Sequence, residues 1–117
     1  MTGNAWLVAA LAIAVFIVLS RLMGGRKVSS AVVRQKIAAG AVILDVRTVA
    51  EFRAGAYPGA VNIPVQVLSG SMGTLPKGKP IVVYCASGMR SARAATALVR
   101  AGFTDVVNAG GIGNMPR

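Results

Sequence analysis

A chain of 117 residues has room for one domain of ordinary size, and this one is strongly basic: 13 Lys and Arg stand against three acids, a formal charge of +10. With one cysteine and no histidine, it excludes an intramolecular disulfide, a CxxC redox pair, a cysteine zinc cluster, histidine metal sites and any nucleophile driven by a histidine base. The charge suits acidic partners, but the cations are scattered and only six aromatics are present to stack bases, so nucleic acid is not expected.

Mean hydropathy is +0.65, raised by the amino-terminal stretch. After a tail over 1–4, Ala5 to Leu19 runs without a polar residue, and the apolar character extends to Met23 with only Ser20 and Arg21 interrupting. As a helix, 5–23 would rise about 28 Å, near the roughly 30 Å of a bilayer core. Trp6 and Arg21 suit the two interfaces. This reads as one transmembrane helix. Arg21, Arg26, Lys27, Arg34 and Lys36 follow it, so the positive-inside rule gives a single-pass membrane protein with its carboxyl-terminal domain in the cytoplasm. The alternative is a secretory signal, which leaves the domain periplasmic or secreted after cleavage. No Lys or Arg precedes the run and no clear small-x-small site follows it, which favours the retained helix. Residues 24–27 read as a flexible basic hinge that leaves a domain over 28–117 against the membrane.

In that domain, Ser29 or Ser30 caps a helix through about Ala39, stopped by Gly40. Ala41-Val42-Ile43-Leu44 is a strand buried on both faces, ending in Asp45-Val46-Arg47. Thr48-Val49-Ala50-Glu51 fits a capping box and starts a short helix to about Ala54, with Arg47 and Glu51 expected to pair across the turn. Ala60 to Ile63 is a short strand stopped by Pro64. Val65 to Leu68 is a helical turn, and Ser69 to Gly73 is loop by composition. Ile81-Val82-Val83-Tyr84 is a second buried strand, followed by Cys85-Ala86-Ser87-Gly88-Met89-Arg90 and a helix to Ala101. That helix carries an apolar stripe of Ala94, Ala97, Leu98 and Ala101, with Arg93 and Arg100 on a solvated face. Phe103 to Asn108 returns as a strand, and Gly110, Gly111 and Gly113 form a turn, since no helix follows them to make a phosphate site. Alternating strands and helices give a small α/β domain with a central parallel sheet flanked by helices.

The chemistry concentrates at Cys85. A thiol between a strand and a helix faces unpaired amides and the positive end of a helix dipole, which favour thiolate over thiol. Gly88 permits the backbone angles that turn amides inward, and Arg90 adds a fixed positive charge. The loop therefore reads as a sulfur nucleophile in an anion-binding cradle. Asp45 sits at the end of another buried strand, where open α/β sheets place their sites.

These residues carry a family likeness. Leu44-Asp45-Val46-Arg47, Glu51-Phe52 and Tyr57-Pro58-Gly59-Ala60-Val61-Asn62-Ile63-Pro64 resemble the first half of a rhodanese domain. Val82-Val83-Tyr84-Cys85 through Gly88-Met89-Arg90-Ser91 resembles its active-site strand and loop, and Gly102-Phe103 with Gly110-Gly111-Ile112 resembles its ending. The resemblance implies a sulfurtransferase in which Cys85 accepts a sulfane sulfur as a persulfide and passes it to cyanide or another thiol. Ala86, Ser87, Gly88, Met89 and Arg90 would form the cradle, Arg90 would help to hold an anionic donor such as thiosulfate, and Asp45, Arg47 and Ser91 would support them. The implied partners are a small anionic sulfur donor, a thiol or cyanide acceptor, which can be a protein, and the membrane through the amino-terminal helix. Neither a metal nor an organic cofactor is required. With no second cysteine, a persulfide on Cys85 must be discharged by another molecule.

Two further readings belong beside this one. The domain could be a non-catalytic binding module of the same fold, or a phosphatase. Phosphatases of this fold use a loop one residue longer, and they want a carboxylic acid that this chain lacks between Cys85 and Asp105. The chain also departs from the family at three places. Ala56 stands where histidine is usual, and Asn114-Met115-Pro116 replaces a tryptophan and a final helix. The connection from Val65 to Leu75 has little helix-forming sequence.

Overall fold

The computed structural model describes residues 3–117, the side chains of residues 19–24 excepted. The expected tail over 1–4 and the side chains of Ser20 and Arg21 thus fall partly or wholly outside the described residues. In chain order the elements are α1 (Ala5–Gly24), α2 (Ser30–Ala38), β1 (Val42–Asp45), α3 (Val49–Ala54), β2 (Val61–Asn62), β3 (Ile81–Cys85), α4 (Met89–Arg100) and β4 (Val106–Gly111). Short 3-10 turns lie at Val65–Gly70, Met72–Thr74 and Ile112–Asn114. All strand pairings are parallel, in the order β2-β1-β3-β4.

β3 runs through the middle of the sheet and is buried at every position, which is why its sequence is an unbroken apolar run rather than an alternating one. Its side chains split between two cores. Ile81, Val83 and Cys85 face a cluster with Leu44, Leu68, Ala94, Leu98 and Phe103, under α4. Val82 and Tyr84 face a second cluster with Val33, Ile43, Ala109 and Met115, under α2. Cys85 thus ends the central strand on the α4 side. Burying these two clusters is the main favourable term in the fold.

The caps form as the sequence demands. Ser29 Oγ accepts from Val32 N–H at 3.3 Å. Thr48 and Glu51 complete a capping box: Thr48 Oγ1 accepts from Glu51 N–H at 3.1 Å, and Glu51 Oε1 accepts from Thr48 N–H at 3.1 Å. α4 buries Ser91, Ala94, Ala95 and Leu98, so the stripe drifts from the expected Ala97 and Ala101 toward the i, i+3, i+4, i+7 set that meets the sheet. β4 begins after Asp105 rather than at Phe103. Phe103 instead drops into the α4-side core, and Asp105 spends its carbonyl on Ile81 N–H at 2.8 Å. Gly110 and Gly111, expected in a turn, are the last residues of β4.

The expectation of a transmembrane helix over 5–23, and with it a single-pass membrane protein with a cytoplasmic domain, is corrected. Among the described residues no helix is long and apolar enough to cross a membrane. The uninterrupted apolar run Ala5 to Leu19 rises only about 22 Å against roughly 30 Å of hydrocarbon, and α1 makes contacts with α4 and β4 of the domain. The hinge is also fastened rather than free. Lys27 forms a parallel bridge with Asn108, Val28 N–H donates to Asn108 O at 2.9 Å, and the buried Asn108 Nδ2 donates to Gly25 O at 3.0 Å. A buried amide needs partners, and this one finds them in the segment leading out of α1.

Candidate active site

Strand β3 delivers Cys85 fully buried, while Ala86, Ser87 and Met89 above it are exposed. The chain then turns at Gly88, whose φ of +106° is a left-handed conformation that a side chain would strain, and enters α4. This turn aims backbone donors at the sulfur. Gly88 N–H donates to Cys85 Sγ at 2.9 Å. Ser91 Oγ, one turn into the helix, lies 3.5 Å from Sγ, 3.0 Å from Gly88 O and 3.4 Å from Gly110 O. A hydroxyl has one proton to give. With Cys85 a thiol, S–H donates to Ser91 Oγ while the hydroxyl serves a carbonyl; with Cys85 a thiolate, the hydroxyl can turn to the sulfur.

Burial alone would push the Cys85 thiol up. The Ser91 hydroxyl and the amides of Ser91, Gly88 and Ser87 outweigh it, so its pKa lies below the ordinary thiol value. Arg90 attracts the sulfur's charge but is not among the main causes. Its guanidinium is held by Glu51, with Nη1 to Oε1 at 2.7 Å and Nη2 to Oε2 at 3.1 Å. The same bond holds Glu51 down to about 2, the side-chain bond from Arg90 contributing most.

The back wall of the loop is the end of β4. Cys85 is in register with Gly111, and Tyr84 with Gly110, after a register shift beyond Val83. A Cβ on Gly111 would lie 2.6 Å from Ala86 O, and one on Gly88 would lie 3.4 Å from Gly110 Cα. At Gly111 backbone packs on backbone too closely for a side chain, while at Gly88 it is the left-handed φ rather than the space that favours glycine.

Asp45 and Arg47 form a separate, buried constellation beside the loop. Arg47 Nη2 meets Asp45 Oδ2 at 2.7 Å and Arg47 Nε bonds the same carboxylate, Arg47 N–H donates to Oδ1 at 2.8 Å, and Tyr84 O–H donates to Oδ2 at 2.7 Å. Arg47 also lies over the Tyr84 ring, 5.5 Å from its centroid. The expected Arg47–Glu51 pair therefore does not form: Asp45 takes Arg47 and Glu51 takes Arg90. Asp45 is the nearer partner because Arg47 already turns back on it through its own N–H.

Of the residues singled out from sequence, Cys85, Ser87, Gly88 and Ser91 converge on the sulfur. Ala86 presents its carbonyl to Gly111, Met89 faces solvent, Arg90 binds Glu51, and Asp45 with Arg47 brace the end of β1. Sequence reasoning missed Gly110 and Gly111 as the wall of the loop and Glu51 as the partner of Arg90. The double glycine was the available signal for the first. The second joins residues far apart in sequence and carried no local signal.

The rhodanese-like domain model matches residues 29–113. The chain belongs to the rhodanese-like family. It is 36% identical over 67 residues to a protein named sulfurtransferase from Allochromatium vinosum, covering 57% of this chain and 63% of that one. It is also 36% identical over 89 residues to the putative sulfurtransferase YtwF of Bacillus subtilis, covering 74% of this chain and 86% of the relative. Several curated relatives are longer: the match spans 54% of YqhL from B. subtilis and 48% of YibN from Escherichia coli, both uncharacterized. Among solved structures, a rhodanese-related protein from Thermoplasma volcanium superposes with a TM-score of 0.67 at 32% identity, covering 78% of this chain and 95% of that one. The human single-domain sulfurtransferase TSTD1 superposes with a TM-score of 0.62 at 32% identity, covering 73% and 88%.

Proposed function

We propose that this rhodanese-like domain is a sulfurtransferase that carries sulfane sulfur on Cys85, taking it from an anionic donor of the thiosulfate kind and passing it to a thiol or cyanide. The observation that carries the reading is the donor set around Sγ. The Gly88 amide and the Ser91 hydroxyl, with the amides of Ser87 and Ser91, hold a buried sulfur toward thiolate with no histidine base in the chain. A thiolate so held attacks the outer sulfur of the donor. The S–S bond of thiosulfate breaks, sulfite leaves with the bonding pair, and Cys85 keeps the sulfur as a persulfide. The loop amides not engaged with Sγ can stabilise the charge on that terminal sulfur. An acceptor thiolate then attacks the terminal sulfur, and Cys85 leaves again as thiolate. The names of the relatives from A. vinosum and B. subtilis support the reading.

Steady-state thiocyanate formation from thiosulfate and cyanide tests it. The full chain is expected to turn over and Cys85→Ser to show none. Equal rates in the two proteins would overturn the proposal.

A further inference from the structure

We propose that Glu51, through its ion pair with Arg90, selects the sulfur donor by charge, so that the loop favours monoanionic sulfane-sulfur donors such as persulfides and thiosulfonates over dianionic thiosulfate. The inference rests on the sulfur-transfer reading above and refines its donor class.

Two arginines stand near the active-site loop, Arg90 within it and Arg47 at the end of the adjoining strand β1, and each is already occupied by a carboxylate. Arg47 is bound to Asp45 at 2.7 Å and Arg90 to Glu51 at 2.7 Å. Glu51 is not free to swing aside when a donor arrives. The capping box fixes it, with Thr48 N–H donating to Oε1 at 3.1 Å and Thr48 O–H to the same oxygen at 3.0 Å. Arg90 has one good two-pronged partner with both charges only partly exposed, at 28% and 35% for the two side chains. An anionic donor must therefore bind beside a neutral pair rather than beside a bare guanidinium.

What remains positive at the sulfur is the end of α4, worth about half an elementary charge. Against it stands the Cys85 thiolate itself. With Arg90 neutralised by Glu51, the thiolate outweighs the helix end and leaves the mouth about half a charge negative, so a donor carrying two negative charges is repelled twice as much as a donor carrying one. The chemistry is the same for both kinds. With thiosulfate, Cys85 thiolate takes the outer sulfur and sulfite leaves. With the methanethiosulfonate anion, Cys85 takes the outer sulfur and methanesulfinate leaves. In each case one S–S bond breaks, one forms, and the leaving group takes the bonding pair.

Thiosulfate and methanethiosulfonate differ by one oxyanion replaced with methyl, so the pair isolates charge. KM for each donor is measured by thiocyanate formation in wild type, Glu51→Gln and Glu51→Asp. Glutamine suits the same position of a capping box, and melting curves check that the variants fold. Glu51→Gln is expected to lower KM for thiosulfate about tenfold and for methanethiosulfonate about threefold, roughly threefold per donor charge for a single charge removed at several ångströms in a watery cleft. Glu51→Asp, which keeps the charge, is expected to hold the wild-type ratio of the two KM values. Equal changes for both donors in Glu51→Gln, or no change for either, would overturn the charge-selection proposal and leave sulfur transfer standing. Failure of both donors to turn over with wild type would overturn the sulfur-transfer reading, and this proposal with it.

Discussion

The neighbouring strands β1 and β3 end side by side, and each ends at a buried group that wants a negative charge, yet the two are held by opposite means. Asp45 is held by side chains: a guanidinium and a tyrosine hydroxyl converge on its carboxylate, and nothing of it is exposed. Cys85 is held by backbone amides and one serine, beneath a loop whose outer residues are open. A full counter-charge in contact locks an anion in place. Amide dipoles stabilise one while leaving its lone pairs to react. The same corner of the fold thus braces the domain on one strand and leaves a nucleophile on the next.

Variants that exchange these two solutions test the contrast. Asp45→Asn leaves Arg47 as a buried cation without its partner and should cost about 3–5 kcal/mol, read as a lower denaturation midpoint. Its surviving folded fraction should keep a reactive Cys85, since the amides around the sulfur are untouched. Gly111→Ala should cost about 1–3 kcal/mol by overpacking, because its Cβ would press on Ala86 O at 2.6 Å. Unlike Asp45→Asn, it should also slow alkylation of Cys85 by moving the loop. Ser91→Ala removes the one side-chain donor near Sγ at 3.5 Å. The thiol pKa should move back up, which lowers the thiolate fraction and slows alkylation at pH 7.

The smallest effect concerns acid. Glu51 is held from an ordinary 4.5 down to about 2 by the side-chain bond from Arg90. A carboxylate whose pKa is depressed on folding adds stability that is complete above its unfolded pKa and lost as pH falls toward the folded one. Wild type should therefore lose a small stability increment between about pH 5 and pH 2, read as denaturation midpoint against pH, and Glu51→Gln should lack that increment.

Much of this was legible in the sequence where the signal is local. The apolar runs of β1 and β3, the Thr48–Glu51 capping box and the cysteine-to-helix loop each announce themselves within a few residues, because periodicity and capping are short-range physics. The ordered motifs also carried the family. Three things were not legible. Arg47 turning to Asp45 and Arg90 to Glu51 depends on which carboxylate the fold brings near, whereas the local turn pointed Glu51 to Arg47. The closeness of Gly111 to Ala86 depends on a register shift between β3 and β4. The amino-terminal run satisfied a length rule only by including Ser20 and Arg21, and the apolar part alone is too short to span a bilayer.

The central claim is that Cys85 carries the sulfur. Intact-mass measurement of the full chain after incubation with thiosulfate, before any acceptor is added, tests it most directly. The expected result is a gain of one sulfur atom in wild type, removed by a thiol reductant and absent in Cys85→Ser. No gain in wild type, or the same gain in Cys85→Ser, would contradict it.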